Sequence, residues 1–359
     1  MSESLPPNEN QIKVLIVDDS AFVRFSLVKF LKQIQTIEIV GEAVDGHEAI
    51  SMAKDLKPDV ITMDVEMPRL DGLSALQQIM KENPIPVVML SSLTQEGAQE
   101  TIRALTLGAV DFVAKPKSRS SINSIMAELV EKITKASEVT VFALKEKRVP
   151  AKPVGESAAQ PSATLRAFRE SDKLLVIGSS TGGPRALNNV VPNLPADLPA
   201  PILIVQHMPV GFTKSLADRL NSVSPFEVRE AVEGDTLKVG LCLVAPGGFH
   251  MEVTDEGTIH LTENPPVHGV RPAVDVTQIS VASRFGDRVI TAVLTGMGRD
   301  GTNGASLIKA SGGKVIVEDE STCVVWGMPR SVYEAGVADV MKPIDEIADT
   351  IVEYMEGKE

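Results

Sequence analysis

Short, almost unbroken apolar runs recur along this chain, each followed by a stretch with the i, i+3, i+4 spacing of a helix. This alternation constrains the fold more than any other feature. Runs such as Val60 to Met63 and Leu174 to Ile177 are apolar on both faces. They must be covered on both sides, and the intervening helices do the covering, which is the pattern of a parallel sheet with helices on each face. Between Lys13 and about Lys135 five runs predict a five-stranded domain: Val14 to Val17, Ile37 to Ala43, Val60 to Met63, Val87 to Leu90 and Phe112 to Ala114. Its last helix starts near Ser121, with Ile125, Met126, Leu129, Val130 and Ile133 at helical spacing.

Beyond that helix, KEKRVPAKPVGESAAQPSATLRAFRES mixes charge, Pro, Ala and Ser without apolar periodicity, so an exposed linker is expected over 139–171. Val139, Val141, Phe142 and Leu144 either extend the helix or dock on a neighbour. Alternation then resumes. Leu174 to Ile177, Ile202 to Val205, Val289 to Leu294 and Lys314 to Val317 read as buried parallel strands, whereas Phe226 to Thr262 reads as antiparallel strands with Asp255-Glu256-Gly257 as a hairpin turn. The expected organisation is an N-terminal tail (1–12), a flavodoxin-like α/β domain with a five-stranded parallel sheet (13–138), the linker, and a second doubly wound, mainly parallel α/β sheet with an antiparallel excursion (172–359). At 359 residues the chain gives each domain enough length to bury its own core.

The formal charge of −13 argues against a protein whose main task is gripping nucleic acid, since phosphate neutralisation needs a basic surface. The two cysteines, Cys242 and Cys323, lack the paired spacing of zinc or redox motifs and are expected in the core. The polar start MSESLPPNENQ carries no export signal, and no apolar run approaches the ~20 residues of a membrane span. A soluble, cytoplasmic protein is expected.

The first domain collects acids at one edge. VLIVDDS ends its first strand in Asp18 and Asp19, and VITMDVEMP ends the third in Asp64. Adjacent strand ends in an open parallel sheet form the crevice where ligands bind. Three carboxylates there repel one another unless a cation is present, and hard oxygen ligands at an open site suit Mg²⁺. The fourth strand ends in Ser91 and the fifth runs into Lys115. Acid, metal, hydroxyl and amine together can accept and recognise a phosphoryl group. One strand-end acid alone would be merely solvated; a set of this type and order is not.

In the second domain LLVIGSSTGGPRALNNVV sets a serine-rich turn between a strand and a helix. A dinucleotide loop would need G-x-G-x-x-G, and a P-loop would need a following Gly-Lys-Ser/Thr. Two readings remain. Ser180 is a helix cap, or Gly178-Ser179-Ser180-Thr181-Gly182 is a G-x-S-x-G turn presenting a nucleophile, with Pro184 near the first helical turn. The partners raise the second: PILIVQHMP puts His207 at the end of the next strand, and VITAVLTGMGRDG puts Asp300 in a glycine-rich loop past another. His47, His250, His260 and His268 lack this combination. The order Ser, His, Asp differs from that of α/β-hydrolases, and a triad is recognised by geometry and role. Such a set suffices for acyl transfer, with His207 as base, Asp300 fixing its tautomer, and backbone N–H groups after Ser180 and in Gly296-Met297-Gly298 holding the oxyanion.

On VLIVDDS, VITMDVEMP, the strand ending in Ser91 and FVAKP, residues 13–135 resemble a response-regulator receiver domain. The resemblance implies that Asp64 accepts the phosphoryl group, that Asp18, Asp19, Asp64 and the Glu66 carbonyl hold Mg²⁺, and that Ser91, Lys115 and Phe112 form the switch. On GSSTGG, QHMP, LTGMGRDG and CVVWGMPR, the rest resembles the catalytic domain of the chemotaxis receptor methylesterases. That resemblance implies a Ser180–His207–Asp300 triad, Met297 at the oxyanion site and Thr181 supporting His207. It also implies glutamyl methyl esters on chemoreceptor cytoplasmic domains as substrates, with glutamine amides for some members, no cofactor for the esterase reaction, a histidine kinase as phosphodonor, and no nucleic-acid partner or membrane insertion. The alternative is a two-domain adaptor whose second domain only binds a partner.

A phosphorylatable domain ahead of a hydrolase suggests control, most simply by the unphosphorylated receiver covering the catalytic edge. Removing residues 1–150 is therefore expected to raise basal esterase activity. A truncated protein no faster than the intact, unphosphorylated chain would sink that arrangement.

Overall fold

The computed structural model describes residues 11–92, 94–115, 122–139, 163–169 and 171–357. The chain divides into two compact units between Lys145 and Glu146. In the first, β1 (Ile12–Val17), β2 (Ile37–Ala43), β3 (Val60–Asp64), β4 (Val87–Ser91) and β5 (Asp111–Ala114) alternate with α1 (Ala21–Leu31), α2 (Gly46–Leu56), α3 (Gly72–Glu82), α4 (Gln95–Leu107) and α5 (Ile122–Ser137). The sheet is parallel, in the order β2-β1-β3-β4-β5, so its order reverses between β1 and β3 and opens a crevice at their carboxyl ends. Val14 to Val17, Val60, Ile61 and Val87 to Met89 are fully buried, as the unbroken apolar runs require. Polar side chains start the helices: Ser20, Asp45, Asp71 and Thr94 accept N–H bonds from the first turns of α1 to α4. Met126, Leu129 and Ile133 of α5 face the core. Val139 is buried just past the end of α5, so it docks rather than extending the helix; Val141, Phe142 and Leu144 lie outside the described residues.

The second unit is built on a seven-stranded sheet. It contains β7 (Leu174–Ser179), β8 (Ile202–Gln206), β9 (Glu227–Glu230), β11 (Leu241–Val244), β14 (Val289–Val293), β15 (Lys314–Glu318) and β16 (Val340–Lys342), in the order β16-β15-β14-β7-β8-β11-β9. Every pairing is parallel. Its helices are α6 (Gly183–Val190), α7 (Phe212–Asn221), α8 (Val274–Phe285), α9 (Thr302–Ala310), α10 (Met328–Glu334) and α11 (Ile344–Met355). The order turns around at β7, which pairs with β8 on one side and β14 on the other.

Two expectations are corrected here. The antiparallel reading of 226–262 holds only for β12 (His250–Val253) and β13 (Ile259–Thr262), which pair antiparallel across a turn closed by Gly257 N–H to the Thr254 carbonyl. β9 and β11 instead extend the parallel sheet. Glu-Val-Arg-Glu alternates because β9 is an edge strand with one half-open face, which imitates an antiparallel pattern. The expected linker also ends early. β6 (Arg166–Ala167) pairs antiparallel with β10 (Lys238–Val239), and Arg166 forms a two-pronged pair with Asp172, at 2.6 and 2.8 Å. Phe168 sets its ring edge-on to Phe285, centroids 5.4 Å apart. The composition missed this because one aromatic ring and one ion pair, not periodicity, tie the segment down.

Truncating Phe168 to Ala is expected to destabilise the C-terminal unit by about 2 kcal/mol, since it removes both apolar burial and an aromatic edge contact. Urea unfolding monitored at the single Trp326 measures it; an unchanged midpoint would detach this segment from the fold.

Candidate active site and phosphoacceptor site

In the first unit Asp18 follows β1, Asp64 ends β3, Ser91 ends β4 and Lys115 follows β5. Parallel register brings them to one edge. Carboxylate oxygens of Asp18, Asp19 and Asp64 lie within 4.8 Å of one another. Lys115 Nζ stands 2.6 Å from Asp64 and 3.0 Å from Asp18. Asp18 and Asp64 are buried while Asp19 and Glu66 are exposed, so the cluster opens to solvent on one side. Burial, helped by the Asp18 charge, lifts the Asp64 carboxyl to about 6 against the pull of Lys115. Burial alone would lower the Lys115 ammonium, but the two aspartates outweigh it and hold it above its ordinary value. Three oxygen donors on an open rim fit a small hard divalent cation. Gly72 is required here, because a Cβ at that position would run into the Asp64 carbonyl oxygen.

Ser91 is fully buried, its hydroxyl 2.6 Å from that of Thr101 and 3.1 Å from the Gly97 carbonyl on α4. Phe112 is buried, with the Lys132 ammonium 5.2 Å from its ring centre. Thr101 and Lys132 were not singled out by the sequence, since a helix-borne polar residue facing a sheet end leaves no periodic signal.

In the second unit Ser180 stands just past β7 and His207 just past β8, and their predecessors Ser179 and Gln206 are paired in register. His207 N–H donates to the Ser179 carbonyl at 3.2 Å. Asp300 comes from the loop after β14, the neighbour of β7 on the other side. All three thus gather at the strand-order reversal. His207 Nε2 lies 2.7 Å from Asp300 Oδ2, and Asp300 is almost fully buried. The same carboxylate accepts N–H bonds from Val274 (2.6 Å) and Asp275 (2.9 Å) at the start of α8, and from Gly301 (3.0 Å). Burial pushes its pKa up, but the bonds from His207 and those amides win, and it sits below the ordinary carboxylate range. An ionised carboxylate only accepts, so the neutral tautomer that fits this contact carries its proton on Nε2 and leaves Nδ1 as an acceptor.

The capping alternative for Ser180 does not hold. The N-cap of α6 is Gly182, in the left-handed conformation with no side-chain cap bond, and the Ser180 hydroxyl has no hydrogen-bond partner among the described residues. Ser179 differs: its hydroxyl is buried and bonded to Gln206 Oε1 at 2.7 Å, while Gln206 Nε2 donates to the Ser180 carbonyl. The Ser180 N–H donates to the Thr295 carbonyl at 3.0 Å. Gly296 is packed so closely that a Cβ there would come within 2.8 Å of Ser180 Cβ. Half-buried Met297 follows, its N–H unpaired among the described residues. Thr181 is nearly buried, and its carbonyl accepts from the Thr295 hydroxyl.

Gln206 and Glu318 were missed by sequence reading. Gln206 lay in view beside His207, and Glu318 ends an apolar strand just as Asp64 does. Glu318 is buried, and its carboxylate accepts from Thr295 N–H at 2.7 Å and from the Thr322 hydroxyl at 3.1 Å. Burial dominates and lifts it to about 7.

Fold and sites together define a signalling enzyme in which a phosphorylatable receiver is joined to an α/β hydrolytic domain. Residues 14–127 match the response regulator receiver domain family and residues 175–351 the CheB methylesterase family. A Symbiobacterium thermophilum protein named protein-glutamate methylesterase/protein-glutamine glutaminase is 50% identical over 351 residues, covering 96% of this chain and 97% of its own. A protein of the same name from Archaeoglobus fulgidus is 47% identical, covering 97% of this chain and 99% of its own. The crystal structure of the Thermotoga maritima CheB methylesterase catalytic domain is 49% identical, covers 51% of this chain and 99% of that one, and superposes with a TM-score of 0.50. The chain belongs to the CheB family of receiver-linked protein-glutamate methylesterases.

Between about pH 4.5 and 7 the folded chain holds a proton on Glu318 that the unfolded chain has released, so stability falls as pH rises through this window. Glu318→Gln is expected to remove that part of the slope. Urea unfolding of both proteins at pH 5 and pH 8 checks it; parallel slopes would contradict the assignment.

Proposed function

We propose that this chain is a phosphorylation-activated serine hydrolase that removes methyl groups from glutamyl methyl esters on chemoreceptor cytoplasmic domains, releasing methanol, and deamidates receptor glutamines. The observation that carries this reading is the partly buried His207–Asp300 bond beside Ser180, whose hydroxyl caps no helix, at the strand-order reversal. Near-full-length identity to proteins named for both activities supports the substrate class. A mere adaptor would have no use for a partly buried imidazole–carboxylate pair next to an unengaged hydroxyl.

In the proposed reaction Ser180 Oγ attacks the ester carbonyl while His207 Nδ1 takes its proton. The negative charge on the tetrahedral carbon's oxygen falls to backbone donors, with Met297 N–H the first candidate; one such donor is typically worth about 3 kcal/mol. His207 returns the proton to the departing methoxide, and water attacks the acyl-serine by the same route in reverse. Asp300 holds the imidazole by Nε2 and stabilises its charged form. Thr181 supports His207 from the same turn. Only these groups and water take part.

Receiver domains in general bind Mg²⁺ where they are phosphorylated. Here Asp18, Asp19, Asp64 and the Glu66 carbonyl would hold it, and when bound it offsets charge on the transferring phosphoryl oxygens. Asp64 attacks phosphorus on the phosphohistidine of a kinase, the P–N bond breaks as the kinase imidazole departs, and Lys115 pairs with the phosphoryl oxygens now on Asp64. Ser91 then turns its hydroxyl toward the phosphoryl group, and Phe112 moves with it. No helix among the described residues is long and apolar enough to cross a membrane. The receptor-modifying reaction belongs on the cytoplasmic side.

Methanol release from radiomethylated receptor membranes, with and without a small phosphodonor and Mg²⁺, tests both halves. Ser180→Ala is expected to lower release about 10³-fold or more. Asp64→Ala is expected to keep basal release and lose its stimulation. Release that survives Ser180→Ala would overturn the nucleophile assignment.

A further inference from the structure

Glu318 has no part in the proposed chemistry, yet its surroundings lead directly to the nucleophile. The β14 and β15 ladder ends with Val293 opposite Val317. The strands then part, and Gly296 pairs instead with the 325–326 segment through its N–H to the Val325 carbonyl. Thr295 N–H, stranded where the ladder opens, is taken by the Glu318 side chain at 2.7 Å. The other carboxylate oxygen is held by the Thr322 hydroxyl at 3.1 Å.

Thr295 is in turn the hub of the serine turn. Its carbonyl accepts the Ser180 N–H at 3.0 Å. Its hydroxyl donates to the Thr181 carbonyl at 3.0 Å and accepts from Val325 N–H at 2.9 Å. The next residue, Gly296, lies against Ser180 itself. The geometry points to Glu318 as the positioning residue of the nucleophile turn: by holding Thr295 N–H, it fixes Thr295, whose carbonyl holds Ser180 and whose hydroxyl holds Thr181. Burying a carboxyl group here costs folding free energy, and an apolar side chain would fill the space. What an apolar side chain cannot supply is an acceptor at the required reach. Arg185 on α6 adds electrostatic support for the ionised form, but the acceptor, not the charge, is the element that touches Thr295.

This inference rests on Ser180 being the nucleophile, and the experiment separates the two. In the full-length, phosphodonor-activated protein, kcat and KM for methanol release from receptor membranes are measured for Glu318→Gln, Glu318→Asp, Glu318→Leu and Ser180→Ala. The rate of Ser180 labelling by a fluorophosphonate is measured alongside. Gln keeps an acceptor at the same reach and is expected to retain kcat within about threefold. Asp keeps the charge but draws the acceptor back, and Leu removes it. Both are expected to lower kcat by about 10- to 100-fold, the scale of an ångström-level misplacement, with KM little changed and labelling slowed in parallel.

A folded Asp variant at the parental kcat overturns the inference. So does the opposite order, Asp active and Gln impaired, which would assign the effect to charge, and so does an equal loss in all three. Should the Leu variant fail to fold, the Asp and Gln pair decides. Release that persists in Ser180→Ala overturns the nucleophile reading itself, whereas its loss there beside a fully active Asp variant overturns only the role of Glu318.

Discussion

The C-terminal unit depends on one strand, β7, being paired on both sides by strands that come from separate stretches of the chain. β8 follows it directly and β14 returns after more than a hundred residues. Helices crossing to opposite sides of the sheet leave the carboxyl end of β7 uncovered. Only a residue there can be flanked at once by a group from each half of the sheet, as Ser180 is by His207 and the Asp300 loop. The Ser180 N–H bond to Thr295 carries the ladder two residues past the last pair of β7 and β14, Gly178 opposite Val293. It therefore joins the two halves where the sheet would otherwise begin to splay.

The buried carboxylates show how environment separates groups of the same chemistry. Asp300 is surrounded by donors, three backbone amides and an imidazole, and stays ionised despite its burial. Asp64 shares its single strong donor, Lys115, with Asp18, and burial prevails. Glu318 is donated to by the Thr295 amide, the Thr322 hydroxyl and the weak Cys323 thiol, none of them charged, and titrates highest of the three. The count and charge of the donors, more than depth, order the three. The lysine that answers two aspartates also keeps the acidic crevice of the receiver from repelling itself.

Most of this was legible because parallel strands put their last residues in one place. Runs such as VITMD and VVMLS were readable as strands from apolar content alone, and each ended in the residue that mattered. The same logic set Ser180 and His207 side by side without knowledge of the register. It failed where the signal was not periodic. Glu227 to Glu230 alternated because this edge strand keeps one face half open, which mimicked a different sheet type. Arg166 and Phe168 docked through one ion pair and one ring. Glu318 ended an apolar strand within view, but nothing in its spacing revealed that it takes up an amide freed where two strands diverge.

His207 meets Asp300 through Nε2, the far nitrogen of the ring, and this leaves the near one for the serine. Nδ1 is bonded to the same ring carbon that joins the ring to Cβ, so it stays close to Cβ, yet it stands further from the Cβ–Cγ axis than Nε2 does and swings more as the ring turns about that bond. Its position therefore depends on two things, where the backbone at the end of β8 holds Cβ and how firmly Asp300 grips Nε2. The far nitrogen, nearer the axis, acts as the pin that keeps the near one from sweeping through an arc.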